Sequence, residues 1–192
     1  MNSNWFKLPM NLMKVKYGEK LLLKGMPVIF NKKGAQLIIG DNVTINSSFL
    51  SNLVGLYQRT IIVTRTAEAE ISIGDNVGIS GATIYARKGI KIGNNTLIGG
   101  NTKIMDNDFH PINPETRMNT PNDHMKVSPI EIGTNVFIGC NCLILKGTKI
   151  GDNSVVGAGS VVSGEIPDNC IVAGNPVKII RYLEKNQEKV ER

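Results

Sequence analysis

The sequence predicts an all-β fold: a solenoid of short stacked strands, with one inserted loop and a short C-terminal helix. Three observations predict it. Aliphatic residues recur at every sixth position through Ile132, Ile138, Ile144, Ile150, Val156 and Val162. Shorter runs keep the same spacing at Ile92, Ile98 and Ile104, at Ile73, Ile79 and Tyr85, and at Ile39 and Ile45. Six steps of about 100° would scatter these side chains around a helix, whereas on a strand of period two they all face one way. Four residues after each repeat start stands a small or β-branched residue (Val77, Thr83, Thr96, Thr102, Val136, Cys142, Thr148, Ser154, Ser160), and one residue after it stands, in most repeats, a glycine. Glycine, and the Asn and Asp of the recurring IGDN, IGNN and IGTN, tolerate the backbone of a sharp corner. Three short sides joined by such corners close a coil of eighteen residues, and coils stack strand over strand.

The elements fall in order along the chain. Residues 1–36 form a basic N-terminal segment ahead of the repeat: seven lysines stand there against Glu19 alone, a balance equal to the whole chain's +6. With Trp5 and Phe6 beside it, that charge fits either a solvated arm or contact with an anionic membrane surface. Residues 37–172 are the solenoid, looser in register over residues 51–72, with an inserted loop at 110–131. Residues 173–192 form a turn at VAGNP and then a helix from about Val177. Hydrophobic residues make up 41% of the chain and aromatics only 5%, so the core must be built from Val, Ile and Leu. No apolar run approaches the roughly 18 residues of a membrane span, and lysines interrupt any candidate signal peptide, which points to a cytoplasmic protein. Nucleic acid is not an expected partner, because the body lacks interleaved basic and aromatic residues. Cys140, Cys142 and Cys170 fit neither a disulfide framework nor a zinc pattern, and no metal is expected.

The beat stops within KIMDNDFHPINPETR, residues 103–117. Extrapolated from Ile104, the repeat puts Asp108 where a small residue belongs and His110 where an aliphatic belongs. It resumes only at Ile132. Pro111, Pro114, Pro121 and Pro129 make the intervening segment a loop that leaves the stack. Loops of this length in a compact domain are usually functional or disordered, and His110 stands at the rooted end. Asp106 and Asp108 read either as turn residues beside Asn107 or as groups that orient an imidazole or bind hydroxyls. Arg117 reads as a loop anchor or an acceptor contact. His124, the other histidine, lies in mid-loop.

The segment from Ile132 to Arg181, IGTNVFIGCNCLILKGTKIGDNSVVGAGSVVSGEIPDNCIVAGNPVKIIR, resembles the C-terminal half of hexapeptide-repeat acyltransferases, and HPINPETR resembles the HP-x5-R pattern of galactoside and maltose O-acetyltransferases. DNDFHP is similar to the subgroup that acetylates polysaccharide sugars. The resemblance implies a left-handed parallel β-helix, a homotrimer with sites between subunits, acetyl-CoA as acyl donor and a sugar or glycan acceptor. It implies His110 as general base, Phe137, Cys140, Ala158 and Ser163 along the CoA groove, and Lys178 and Arg181 at the CoA phosphates. Gly164 departs from the usual Lys. On the acceptor side, positions near Ser80 and Arg87 lack the Asn and Asp of the galactoside enzymes, which leaves the sugar's identity open. Membrane contact through residues 1–36 would place the enzyme peripherally at the inner membrane surface.

The chemistry expected is acyl transfer from a thioester to a hydroxyl. An alcohol becomes a useful nucleophile when a base takes its proton, and imidazole does so near neutral pH. The same scaffold also supports N-acetylation of an amino sugar, or a non-catalytic solenoid. A zinc hydratase of the carbonic anhydrase type would need about three histidine ligands, more than this chain has.

Overall fold

In the computed structural model, which describes residues 6–120 and 124–184, the aliphatic positions of the repeat point inward and a corner follows each of them. A six-residue helix, α1 (Lys7–Leu12), comes first and sinks Met10 into the core. The first coil is β1 (Lys16–Tyr17), β2 (Leu22–Gly25) and β3 (Val28–Asn31); the second is β4 (Gln36–Ile39), β5 (Thr44–Ser47) and β6 (Ile61–Thr64). The third is β7 (Glu70–Ile73), β8 (Gly78–Ser80) and β9 (Thr83–Ala86); the fourth is β10 (Gly89–Ile92), β11 (Leu97–Ile98) and β12 (Lys103–Met105). After the inserted segment come β13 (Ile130–Ile132), β14 (Phe137–Ile138) and β15 (Leu143–Ile144), then β16 (Lys149–Ile150), β17 (Val155–Val156) and β18 (Val161–Val162). A last partial coil holds β19 (Glu165–Ile166) and β20 (Cys170–Ala173), and β21 (Lys178–Tyr182) follows. Each strand of a coil pairs in parallel with its counterpart in the next, giving three parallel sheets around one core: a parallel β-helix. The buried Ile, Leu and Val of all three sheets form that core, each Ile contributing about 2 kcal/mol through burial.

The corners divide their work between two residue types. The left-handed backbone falls on asparagine (Asn42, Asn76, Asn95, Asn135, Asn153 and Asn169), not on the residue two places earlier, a glycine in all but the last, where it is Pro167. That glycine is required for space: a Cβ on Gly93 would come within 2.5 Å of the Gly133 backbone in the next coil. Asn side chains then bond coil to coil, Asn42 to Asn76 to Asn95 and Asn135 to Asn153 to Asn169.

Four expectations need correction. The stack begins at Lys16 rather than residue 37, because β1 and β2 pair with β4 and β5. Its first corner is YGEK, a variant of IGDN in which Lys20 (φ 53°) adopts the asparagine's conformation. Tyr85 is not a core position: the corner after Ile79 is one residue short, so Ile84 is buried and Tyr85 faces outward. The next corner, at residues 87–89, is correspondingly longer. The inserted segment leaves at Asp106 and rejoins at Ile130, and it carries a helix, α2 (Pro114–Asn119), capped by Asn113. Finally, residues 178–182 form a strand rather than a helix; β21 pairs antiparallel with β20. An open sheet edge and the β-branched Ile179 and Ile180 favour that pairing over helix. Residues 185–192, the rest of the expected helix, lie outside the described residues, as do Trp5 and Pro121.

The outer faces differ. The first sheet, β1 to β19, presents Lys91, Glu131, Lys149 and Glu165 in register on successive coils. The third sheet, β3 to β18, presents Phe30, Val63, Tyr85, Met105 and Leu143, a largely apolar surface.

Candidate functional site

The root of the inserted segment is a short antiparallel ladder. Asn107 bridges Val127, the Asp108 N–H donates to the Lys126 carbonyl at 3.1 Å, and the Ser128 N–H donates to the Asp106 carbonyl at 2.9 Å. Asp106 is fully buried, and its carboxylate accepts the backbone N–H groups of Arg87, Lys88 and Gly89 and the side-chain amide of Asn107. Those bonds occupy it. The structure gives Asp106 the task of joining the inserted segment to the long corner of the third coil, in place of the acceptor contact expected for it.

Asp108 faces the other way. Its Oδ1 lies 2.5 Å from Lys146 Nζ, on the corner after β15, and its Oδ2 is buried without a hydrogen-bond partner. The pair crosses 38 residues of chain. Nothing in the local sequence of Lys146 signals it, and sequence reasoning missed this residue.

His110 follows through a tight turn. Its N–H donates to the Asp108 carbonyl at 2.7 Å, two residues back, with Phe109 at φ 61° between them. A bulky residue in that conformation is a true outlier, costing about 1–3 kcal/mol, and persists only where the surroundings over-determine it. Here the Phe109 N–H bonds the Asn107 side chain at 2.9 Å, and the Phe109 ring packs on Tyr85 with centroids 4.9 Å apart. His110 thus sits exposed at the end of a pinned backbone. It does not occupy the core slot that counting from Ile104 assigned to it, because the chain has already left the coil at Asp106.

Arg117 is a loop anchor: its Nη1 donates to the carbonyls of Pro111 and Ile112 at 3.2 and 3.0 Å. Ser80 is buried beneath residues 49–59, its hydroxyl accepting from Asn46 and Asn52, so it offers no open face to a sugar. Arg87 and His124 line one recess at the root of the inserted segment.

On the second sheet, β2 to β20, Leu97, Phe137, Val155 and Ile171 are register partners on successive coils and form an apolar lane. Arg181 of β21 pairs with Ile171 at its end, and Lys178 with Ala173. Phe137 and Arg181 are therefore brought onto one sheet, beside Cys140 and Ala158 at the adjoining corner. Ser163 instead follows β18 of the third sheet. Leu97, Val155 and Ile171 went unread in the sequence, although each precedes a buried repeat position. Cys142, next to this corner, is buried, and burial pushes its thiol up from its ordinary value of 9.0. It is a neutral core group rather than a nucleophile.

A profile described as the hexapeptide repeat of succinyl-transferase matches residues 129–163. The chain is 41% identical over 120 residues to the galactoside O-acetyltransferase of Escherichia coli, covering 58% of this chain and 57% of that protein. It is 38% identical over 117 residues to the putative lipopolysaccharide biosynthesis O-acetyl transferase WbbJ of Escherichia coli, covering 58% of this chain and 60% of that one. The chain thus spans somewhat over half the length of these relatives. Among solved structures it is similar to a galactoside acetyltransferase in complex with coenzyme A, with 28% identity, a TM-score of 0.53, and 96% of this chain and 74% of that one covered. Repeat profile, relatives and fold together show the resemblance that the residues first suggested, to the hexapeptide-repeat acyltransferases.

Proposed function

We propose that the protein is an acetyl-CoA-dependent O-acetyltransferase acting on a sugar hydroxyl of a surface polysaccharide or lipopolysaccharide precursor, with His110 as general base. The observation that carries the reading is the pinned turn at Phe109, which spends backbone strain to hold one histidine at the root of the inserted segment. A ring nitrogen of His110 takes the acceptor hydroxyl's proton as that oxygen attacks the thioester carbonyl carbon. The C–O bond forms, the C–S bond breaks, and the imidazolium returns the proton to the departing CoA thiolate. The apolar lane from Leu97 to Ile171 suits the pantetheine arm, and Arg181 and Lys178 suit the phosphates. We take the coil as left-handed, on the resemblance.

The experiment is transfer from labelled acetyl-CoA to a panel of glycans and lipid-linked sugars. An O-acetyl ester on a sugar is expected. Label in amides only, or in no acceptor, would sink the proposal.

The same reading makes the protein a homotrimer with shared sites. The apolar outer face of the third sheet supports this, as do Phe49, Leu50, Leu53 and Val54, all exposed on the segment between β5 and β6. Light scattering should report three copies per particle, and a fully active monomer would contradict it.

A further inference from the structure

We propose that the acceptor carries an oxyanion, a phosphate or a carboxylate, and that Arg87 and Lys88 read it; this rests on the O-acetyltransferase reading above. The two cations line a recess of about 380 Å³ with His124, Thr66, Glu68 and Val127. Their backbone is unusually fixed for a surface turn. The N–H groups of residues 87–89 all bond to the Asp106 carboxylate, and the Arg87 carbonyl accepts from the Thr66 hydroxyl at 2.7 Å. Arg87 and Lys88, the two residues between β9 and β10, present a guanidinium and an ammonium side by side to the recess.

Neither charge is paired with a carboxylate among the described residues. Among the described residues the ion pairs are Lys146 with Asp108 and Lys149 with Glu165. Glu68, the one carboxylate of the recess among the described residues, is within 4.0 Å of neither cation. Adjacent unpaired cations in a concave surface attract anions, and a guanidinium binds an oxyanion through two parallel N–H bonds. Glu68 is then placed to accept from a hydroxyl of the same ligand.

The position ties the recess to His110. Val127, in its wall, bridges Asn107, and Tyr85, two residues before Arg87, carries the Phe109 ring. Recess and histidine flank one stem, residues 106–109. A sugar whose charged group is held at Arg87 and Lys88 presents its hydroxyls toward that stem.

The test compares acceptors that differ only in charge: a hexose, its 1-phosphate and its uronic acid. Wild type should favour one charged form by about 10- to 100-fold in kcat/KM, the range of charge-assisted hydrogen bonds. A preference for the 1-phosphate identifies a phosphorylated acceptor, and one for the uronic acid an acidic sugar. In the double variant R87Q/K88Q the preference should shrink below about threefold. Equal use of charged and neutral sugars by wild type, or a preference that survives in the variant, overturns the proposal. Calorimetric titration with hexose 1-phosphate and with the uronic acid separates this from the broader reading. Were no sugar acetylated, the O-acetyltransferase reading would fail, yet binding of either anion that the double variant loses would still support the recess. Absence of binding by both would overturn it.

Discussion

His110→Ala lowers turnover by about 10² to 10⁴, the usual contribution of a positioned general base, while leaving the fold and acetyl-CoA affinity nearly unchanged. The separation follows from the layout. His110 is exposed at the end of the turn at Phe109, so truncating it empties no core site. Its backbone N–H, which closes the turn on Asp108, is retained in alanine. The apolar lane and Arg181 lie on the second sheet, whereas the strand that leads to His110, β12, belongs to the third. Turnover per folded molecule, thermal melting and acetyl-CoA binding measured on one preparation decide the matter. Near-wild-type turnover in folded His110→Ala would remove the histidine from the mechanism.

Asp106→Ala should cost about 3 kcal/mol and lower the melting temperature by roughly 6 to 12 °C. The backbone N–H groups of residues 87–89 all end on that one buried carboxylate, and alanine leaves them without it. Because Arg87 and Gly89 are only partly buried and Lys88 is exposed, water can reach some of these donors, which keeps the figure at the low end for orphaned groups. Asp106→Asn should rescue part of this, since an amide oxygen in the place of Oδ2 keeps all three backbone bonds while its nitrogen meets the Arg87 N–H and the Asn107 amide where Oδ1 now accepts. Both variants should also lose activity, because Asp106 holds the base of the stem that carries His110. A melting temperature within 2 °C of wild type for Asp106→Ala would show that the long corner stands without it.

Much of the fold was legible because the repeat is a one-dimensional code: inward Ile and Val, spaced six apart, need only be counted. Counting fails where corners change length. Ile84 and Tyr85 are neighbours, and only the short corner at Gly81 decides which enters the core. The first coil was hidden because Lys20 replaces the diagnostic asparagine in YGEK, and its lysines read as an unpacked arm. The C-terminal strand was missed because charged residues dominate the tail, while the open edge of β20 that recruits it is a property of the folded stack. The candidate site was legible as a break in rhythm with a histidine at its edge. Its supports were not: Asp106 reaches back to residues 87–89 and Lys146 crosses to Asp108, and such pairings leave no local pattern.

The charged face of the first sheet bears on how nearly identical coils find their right neighbours. Asparagine ladders cannot distinguish one coil from another, since every rung is the same. Lys91, Glu131, Lys149 and Glu165 can, because their signs alternate from coil to coil. If the chain skipped a coil while stacking, lysine would lie over lysine or glutamate over glutamate. Each native rung is worth only about 0.2–1 kcal/mol, but a skipped coil exchanges attraction for repulsion at each affected rung. The alternation thus works as a proofreading mark for assembly, biasing a repetitive chain against its own most similar misfolds.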